Sequence, residues 1–395
     1  MEYNPLLPQV KENPYPYYAD LQRDHPVYQI ESMGGDTYAV SRYEDVAHVL
    51  MHPELFSSKG FGTTDIDGRD ANMLIGTDPP DHTRLRNVVN RGFTPRMIAE
   101  LEPRIRQLTD EMIGRVVPTG EMDLIADLAM PLPITIISEI LGVEPERRDD
   151  FKRWSTSAVT QVGGDDHPDT HEQLMAEFIG YFQDAVEQRR REPKADLIST
   201  LVRAEEEQQA LSSDEVIAFT ILLLIAGNET TTNLIGNAVL ALTEHPDQLA
   251  RVRSDPSLIP NLVEEALRYD APVQFLFRAT TQETELAGTT IPQGAIVLPM
   301  YGAANRDERQ YPDSGRFDVT RDTQGHFGFG QGIHFCLGAP LARLGGKIAL
   351  EAIVSRLPNL ARKESTVDRI DSLFLRGPKR LPLTFTPAAV TEEPA

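Results

Sequence analysis

Cysteine, tryptophan and positive charge are scarce in this sequence, and it has no long apolar run. A single cysteine, Cys336, stands among 395 residues, so an internal disulfide is excluded, as is a zinc site built from a clustered Cys/His set. Lys and Arg number 38 against 60 Asp and Glu, a net charge of -22, which argues against nucleic acid as a partner and favours solubility. The longest apolar run, 221–226 with its flanks, is far too short to span a bilayer. The opening MEYNPLLPQVKENPYPYYAD lacks a basic segment followed by an apolar one, so neither signal peptide nor anchor is expected. The sole tryptophan, Trp154, reads as a packing residue. These absences are consistent with a cytoplasmic protein that meets no membrane, and a monomer is expected.

With 40% hydrophobic residues the chain can bury a large core, and one domain over 1–395 is expected, with 389–395 a frayed tail. The pattern is mostly helical with a small β-rich part. Helices are expected at 17–24, 43–51, from the DPPD at 78–81 onward, and at 103–117, 129–141, 146–162, 171–191 and 196–207. The longest runs from Ser213 to His245-Pro246, and another opens at Pro260. Strand-like alternation falls mainly in 25–41, 271–300 and 370–388. Residues 57–77 form a long Gly/Asp/Ser/Thr-rich loop of the kind that serves as a lid or binding loop, and GGDDHPDT at 163–170 is a polar break.

Four local features invite chemistry, and each has a plainer reading. Around Cys336 the sequence is FGFGQGIHFCLGAPLARL, residues 327–344. Taken alone, a lone cysteine is most often a small buried hydrophobe; here glycines crowd it and Pro340 suits the first turn of a following helix. A thiol at a helix N-terminus is expected to become a thiolate. Within the long helix, GNETTT at 227–232 is a poor helix sequence, either a helix end with Asn228 as the next cap or a functional break. His82 and Arg86 lie four apart on one helix face, and Glu265 and Arg268 three apart; each pair alone reads as solvated surface.

Phe329, Gly330, Gly332, His334, Cys336 and Gly338 resemble, at every constrained place, the F-G-x-G-x-H-x-C-x-G loop of the cytochrome P450 superfamily. The other features fall in that family's order over nearly the whole chain. The resemblance is to a soluble, bacterial-type haem-thiolate monooxygenase. It implies haem b (iron protoporphyrin IX) between the long helix and the cysteine-loop helix, with Cys336 as the iron ligand. His82 and Arg86 in HTRLR, Arg278 in FRAT, and His334 would meet the propionates, while Ala226, Phe329, Gly330 and Gly338 would line the haem. Glu229 and Thr230 resemble the acid and alcohol that carry protons during oxygen activation, with Glu where many relatives have Asp. Glu265 and Arg268 resemble the ExxR motif, with Arg316 expected as the third member and the group acting as a positional lock on the cysteine loop.

The same resemblance puts Leu223, Ala226, Val273, Gln274, Phe275, Leu276 and Phe374 on the substrate cavity. That set is apolar apart from Gln274, so a hydrophobic small molecule is expected. Residues 151–195 would form a moving lid. The implied reaction inserts one atom of O2 into a C–H bond or alkene. Electrons would come from an external ferredoxin and its NAD(P)H reductase, since the chain has no flavin or iron–sulfur sequence. Arg104, Arg106, Arg343 and Lys347 are the expected basic patch for that partner. A peroxide-driven peroxygenase and a non-catalytic haem sensor are the rivals, and the intact Glu229-Thr230 pair disfavours both.

Overall fold

The computed structural model describes residues 2–34, 36–60, 73–90, 93–159, 171–208 and 211–388. The expected break at 163–170, most of the 57–77 loop and the 389–395 tail lie outside these residues.

Everything is arranged on the helix Ser213–Glu244, 32 residues long. It starts with a capping box: the Glu215 amide donates to Ser212 Oγ at 3.2 Å, and the Ser212 amide to Glu215 Oε2 at 2.7 Å. Arg84 also donates to the Glu215 carboxylate from the helix Asp81–Asn90. The helix stops at His245, whose successor Pro246 opens the next one. By length and composition it would cross a membrane. Here it is instead the core strut, packed against Pro131–Leu141, Arg148–Val159, His171–Arg191, Leu197–Gln208, Ile259–Tyr269 and Ala339–Arg356. The two largest apolar clusters divide it along its length, one taking residues from Val216 to Leu224 and the other residues from Leu234 to Leu242.

The helix runs straight through 227–232, where the sequence suggests a break. Tertiary hydrogen bonds offset the weak propensity. Asn228 Nδ2 donates to Ser155 Oγ at 3.0 Å, and Thr232 Oγ1 donates to the Ala129 carbonyl at 3.1 Å. A second departure is the helix Pro95–Val116, which begins well before the expected residue 103 and carries Pro103 inside it. Thr94 is its N-cap, accepting from the Met97 amide at 3.2 Å. The apolar stripe Ile98, Ile105, Leu108, Met112, buried throughout, outweighs the one amide that Pro103 removes.

The β-rich part is a five-stranded sheet in the order Val27–Gln29, Thr37–Val40, Ile296–Pro299, Arg278–Thr280, Phe56–Ser57. Only the Thr37–Val40 and Ile296–Pro299 pair is parallel. A hairpin joins Thr284–Leu286 to Thr289–Ile291. Glu121–Asp123, Pro382–Thr384 and Ala361–Arg362 form a further small sheet. Its strands at 121 and 361 are too short to show alternation, so the sequence pattern does not announce them. Between 369 and 378 the chain makes isolated bridges, among them Val273 to Leu375.

Candidate active site

The loop before Cys336 turns on two glycines in the left-handed region, Gly330 at φ 66° and Gly332 at φ 70°. A side chain at Gly332 would also collide with the Leu50 carbonyl, so the loop seats directly on the helix Tyr43–Met51. The Cys336 amide donates to the Phe329 carbonyl at 2.9 Å. Four residues on, Pro340 lies in the first turn of Ala339–Arg356. Burial pushes the Cys336 thiol up, and the Gly338 and Ala339 amides, Arg86 and Arg343 pull the other way without winning. Burial thus opposes the thiolate that the helix N-terminus and the nearby arginines favour, a balance that the positive charge of a bound metal would tip.

Basic side chains converge beside this thiol. His82 is buried, 2% exposed, with its ring centroid 4.4 Å from that of His334, and its Nε2 has no partner. His334 Nε2 lies 3.0 Å from Ser58 Oγ, a contact no sequence signal suggested. Arg86 Nη2 donates to the Phe335 carbonyl at 2.7 Å, and Arg278 Nη1 to the Phe277 carbonyl at 2.6 Å. Burial, with Arg278, His82 and Arg86 nearby, lowers His334 to about 3, and burial lowers His82 as well. In the chain as folded the positive charge thus belongs to Arg86 and Arg278, while the two imidazoles offer neutral hydrogen bonds. On the long helix, Ala226 is exposed and Leu222, Leu223 and Ile225 are only half-buried, although every residue from Thr231 to Leu242 is buried. An orphaned buried imidazole, two arginines, an open apolar helix face and a single sulfur ligand fit a flat apolar macrocycle bearing two carboxylates. Among the described residues no cluster of three metal-binding side chains competes with it.

Glu229 and Thr230 are committed to different partners. Thr230 Oγ1 donates to the Ala226 carbonyl at 2.6 Å, and Glu229 Oε1 accepts from Thr156 Oγ1 at 3.0 Å. Burial raises the Glu229 carboxyl, against the opposing pull of Thr156, Lys152 and Ser155.

Glu265 and Arg268 are both fully buried and paired through two bonds of 2.7 and 2.8 Å. The third arginine is Arg321, not Arg316. Arg321 Nε lies 3.5 Å from Glu265 Oε1, and its side chain is 12% exposed. Arg316 is exposed and offers only its carbonyl, which accepts from Arg268 and Arg321 at 3.2 Å each. The missed signal was FDVTR at 317–321: Asp318 donates its amide to Glu265 Oε1 at 2.8 Å, which brings the next turn's arginine into range. Arg268 Nη1 also donates to the Asn305 carbonyl at 2.9 Å, while Asn305 Oδ1 accepts from the Phe327 amide at 2.6 Å. That chain of bonds ties the buried pair to the start of the cysteine loop.

The P450 family model matches residues 150–385. The chain belongs to the cytochrome P450 family. It is 42% identical to a vitamin D(3) 25-hydroxylase of Pseudonocardia autotrophica, over 95% of this chain and 94% of that one. It is 41% identical to a 6-deoxyerythronolide B hydroxylase of Saccharopolyspora erythraea, over 93% and 95%. Its structure resembles that of the P450 CYP109Q5 of Chondromyces apiculatus with a TM-score of 0.89 and 43% identity, covering 98% and 99% of the two chains. This P450 is accordingly a monooxygenase of the bacterial type, with a haem-thiolate cofactor implied by the family.

Two of the residues expected on the substrate cavity of this P450 are used elsewhere. Gln274 accepts from the Tyr18 hydroxyl at 3.0 Å and donates to the Ala271 carbonyl at 2.7 Å. Phe275, 1% exposed, packs with Tyr3, Tyr18 and Leu298. Both anchor the N-terminal helices to the sheet, a tertiary demand that strand alternation does not reveal. Leu223, Val273, Leu276 and Phe374 keep partly open side chains. Trp154 is a packing residue, its ring centroid 5.2 Å from that of Phe178.

Each cation of the expected basic patch is paired with a carboxylate. Arg104 pairs with Glu139 at 2.7 Å, Arg106 with Glu102 at 2.7 Å and Glu351 at 2.8 Å, and Lys347 with Glu351 at 3.6 Å. Arg343 binds Glu264 through both oxygens, at 2.7 and 2.8 Å, and lies over the Phe329 ring at 4.5 Å. His326 Nε2 meets the same carboxylate at 3.0 Å, and His326 Nδ1 accepts from the Gly328 amide at 3.0 Å. Arg343 is therefore part of a second brace on the cysteine loop. Burial alone would raise Glu264, but the bonds from Arg343 and His326 outweigh it and bring the group down to about 2. A carboxyl lowered by folding contributes stability that is fully present above its ordinary value of 4.5 and is lost as pH falls toward about 2. The stability gap between wild type and Glu264→Gln, measured by urea unfolding, is expected to close as pH drops through that window. A gap that stayed constant would remove the brace.

Proposed function

We propose that this P450 binds haem b through Cys336 and hydroxylates or epoxidises an apolar small molecule, as a cytoplasmic monomer, with electrons from a ferredoxin-type protein and its NAD(P)H reductase. When bound, the haem supplies dioxygen binding and its reductive activation. The chain supplies the pocket, the anchoring and the protons. Arg86 and Arg278, with hydrogen bonds from His82 and His334, would hold the two propionates. Leu223, Ala226, Val273, Leu276 and Phe374 would exclude water and bind substrate by burial. The names of the two relatives, a vitamin D(3) hydroxylase and a 6-deoxyerythronolide B hydroxylase, support a bulky, largely apolar substrate.

The observation that carries the reading is the Glu229-Thr230 pair. Because Thr230 spends its hydroxyl proton on the Ala226 carbonyl, its free lone pairs are left to accept a proton-bearing group on the cavity side. Glu229, raised by burial, holds a proton more readily than a surface carboxylate. Neither peroxide chemistry nor passive sensing needs such a pair.

Thr230→Ala is expected to leave haem content unchanged while product per NAD(P)H falls on the order of 10²-fold, with hydrogen peroxide made instead. Unchanged coupling would remove that role. The deciding experiment screens apolar compounds for a substrate-induced spin-state shift. Hits are then turned over with NAD(P)H, reductase and ferredoxin, or with peroxide alone. Faster turnover on peroxide alone would replace the proposal with a peroxygenase, and no turnover on either would replace it with a sensor.

A further inference from the structure

Glu229 reaches toward the outer helix Arg148–Val159, where it meets a cluster of polar side chains. Thr156 Oγ1 donates to Glu229 Oε1 at 3.0 Å. Ser155, fully buried, donates its hydroxyl to the Lys152 carbonyl at 3.2 Å and accepts from Asn228 Nδ2 at 3.0 Å. Asn228 is fully buried, yet its Oδ1 has no partner. An acceptor left bare in the interior is costly unless a water completes it. Four residues before Thr156, on the same helix face, stands the exposed Lys152.

Lys152 also lines a cavity of about 400 Å³. The cavity lies where Pro95–Val116, Pro131–Leu141 and the start of Arg148–Val159 meet, and its charged walls include Arg104, Glu111, Arg115 and Asp149. A cleft of this size with such a lining holds water. Its far wall is one helical turn from the hydroxyl bonded to Glu229.

We propose that this cavity is the proton inlet of the enzyme, and that Thr156 is the relay between its water and Glu229. The inference rests on the monooxygenase reading, because only a reaction that consumes protons in a closed site needs an inlet. Each proton that leaves the Thr156 hydroxyl for the Glu229 carboxylate is replaced by one from water at Lys152, so the hydroxyl ends as it began. Ser155 and Asn228 act as positioning residues that hold the hydroxyl and a bridging water in line. Lys152 is the charged side chain that bears on the carboxyl.

The test uses Thr156→Val, similar in shape but without the hydroxyl, in the haem-loaded enzyme. The infrared band of protonated Glu229, identified by its absence in Glu229→Gln, is expected to move to higher frequency, and its loss on titration to move to higher pH. Product per NAD(P)H is expected to fall several-fold, with a larger solvent isotope effect and an unaltered substrate-induced spin shift. Thr156→Ser is expected to restore both readouts. The band needs no turnover, so its failure is distinguishable from failure of the monooxygenase reading. A Thr156→Val enzyme with the parent band and parent coupling would overturn the proposal. So would a Thr156→Ser enzyme as impaired as the valine variant.

Discussion

Cys336→Ser is expected to eliminate the red-shifted carbon monoxide band of the reduced protein and all monooxygenase turnover, while leaving the fold in place. The fold should survive because the loop is held by atoms that serine keeps. The residue 336 amide still donates to the Phe329 carbonyl, Gly330 and Gly332 still turn the chain, and the next helix still starts at Ala339. What is lost is the sulfur. A thiol held up by burial is handed to a metal as thiolate with compensation from the ion's own charge, whereas a serine hydroxyl is far too weak an acid for the same exchange. No other cysteine exists in the chain to take its place. The comparison is made with carbon monoxide difference spectra and far-ultraviolet circular dichroism side by side. A serine variant that kept the wild-type band would end the haem-thiolate assignment.

The second large effect is expected at the buried pair. Removing the Glu265 carboxylate leaves the Arg268 guanidinium fully buried and strips the Asp318 amide of its acceptor. Breaking such a pair by deleting one partner costs about 3–5 kcal/mol, a large share of a domain's stability. Because Arg268 also bonds Asn305, and Asn305 the Phe327 amide, the loss should reach the cysteine loop first. Glu265→Ala is therefore expected to be poorly folded or haem-free, as judged by urea unfolding and haem content per chain. The same measurements discriminate the third arginine. Arg321→Ala should follow Glu265→Ala in direction with a smaller size, and Arg316→Ala should match wild type. Equal damage from the two arginine variants would return the role to Arg316.

The contrast between these two arginines shows where the sequence stops being readable. The buried pairing of Glu265 with Arg268 was legible through the family resemblance, because the two lie three apart on one helix and keep that motif's spacing. The third arginine lies in an irregular segment after 305, where no period tells which side chain turns inward, and there the sequence pointed to Arg316. Gln274 and Phe275 failed for a related reason: alternation shows that a stretch is extended, not which layer receives each face. The carboxylates that meet Arg104, Arg106 and Arg343 from other helices are invisible in local sequence, whereas the Arg106–Glu102 and Lys347–Glu351 pairs, four apart on one helix, could be read there. Thr156, Ser155 and Ser58, ordinary hydroxyls, carry no local signal at all.

By itself the sequence determined the helical class and the long core helix, because these depend on periodicity and on residue types within a few turns; the sulfur ligand and the acid–alcohol pair proposed here rest on the resemblance that the spacing around Cys336 and Glu229 carries. Only the tertiary structure decided the desolvation of Cys336, the partner of Glu229, the arginine beside Glu265 and the continuity of the helix through 227–232. Those four outcomes depend on desolvation and on hydrogen bonds between segments that lie 53 to 73 residues apart where Glu265 meets Asp318 and Glu229 meets Thr156. Distances of that kind are set only when the whole chain has closed on itself.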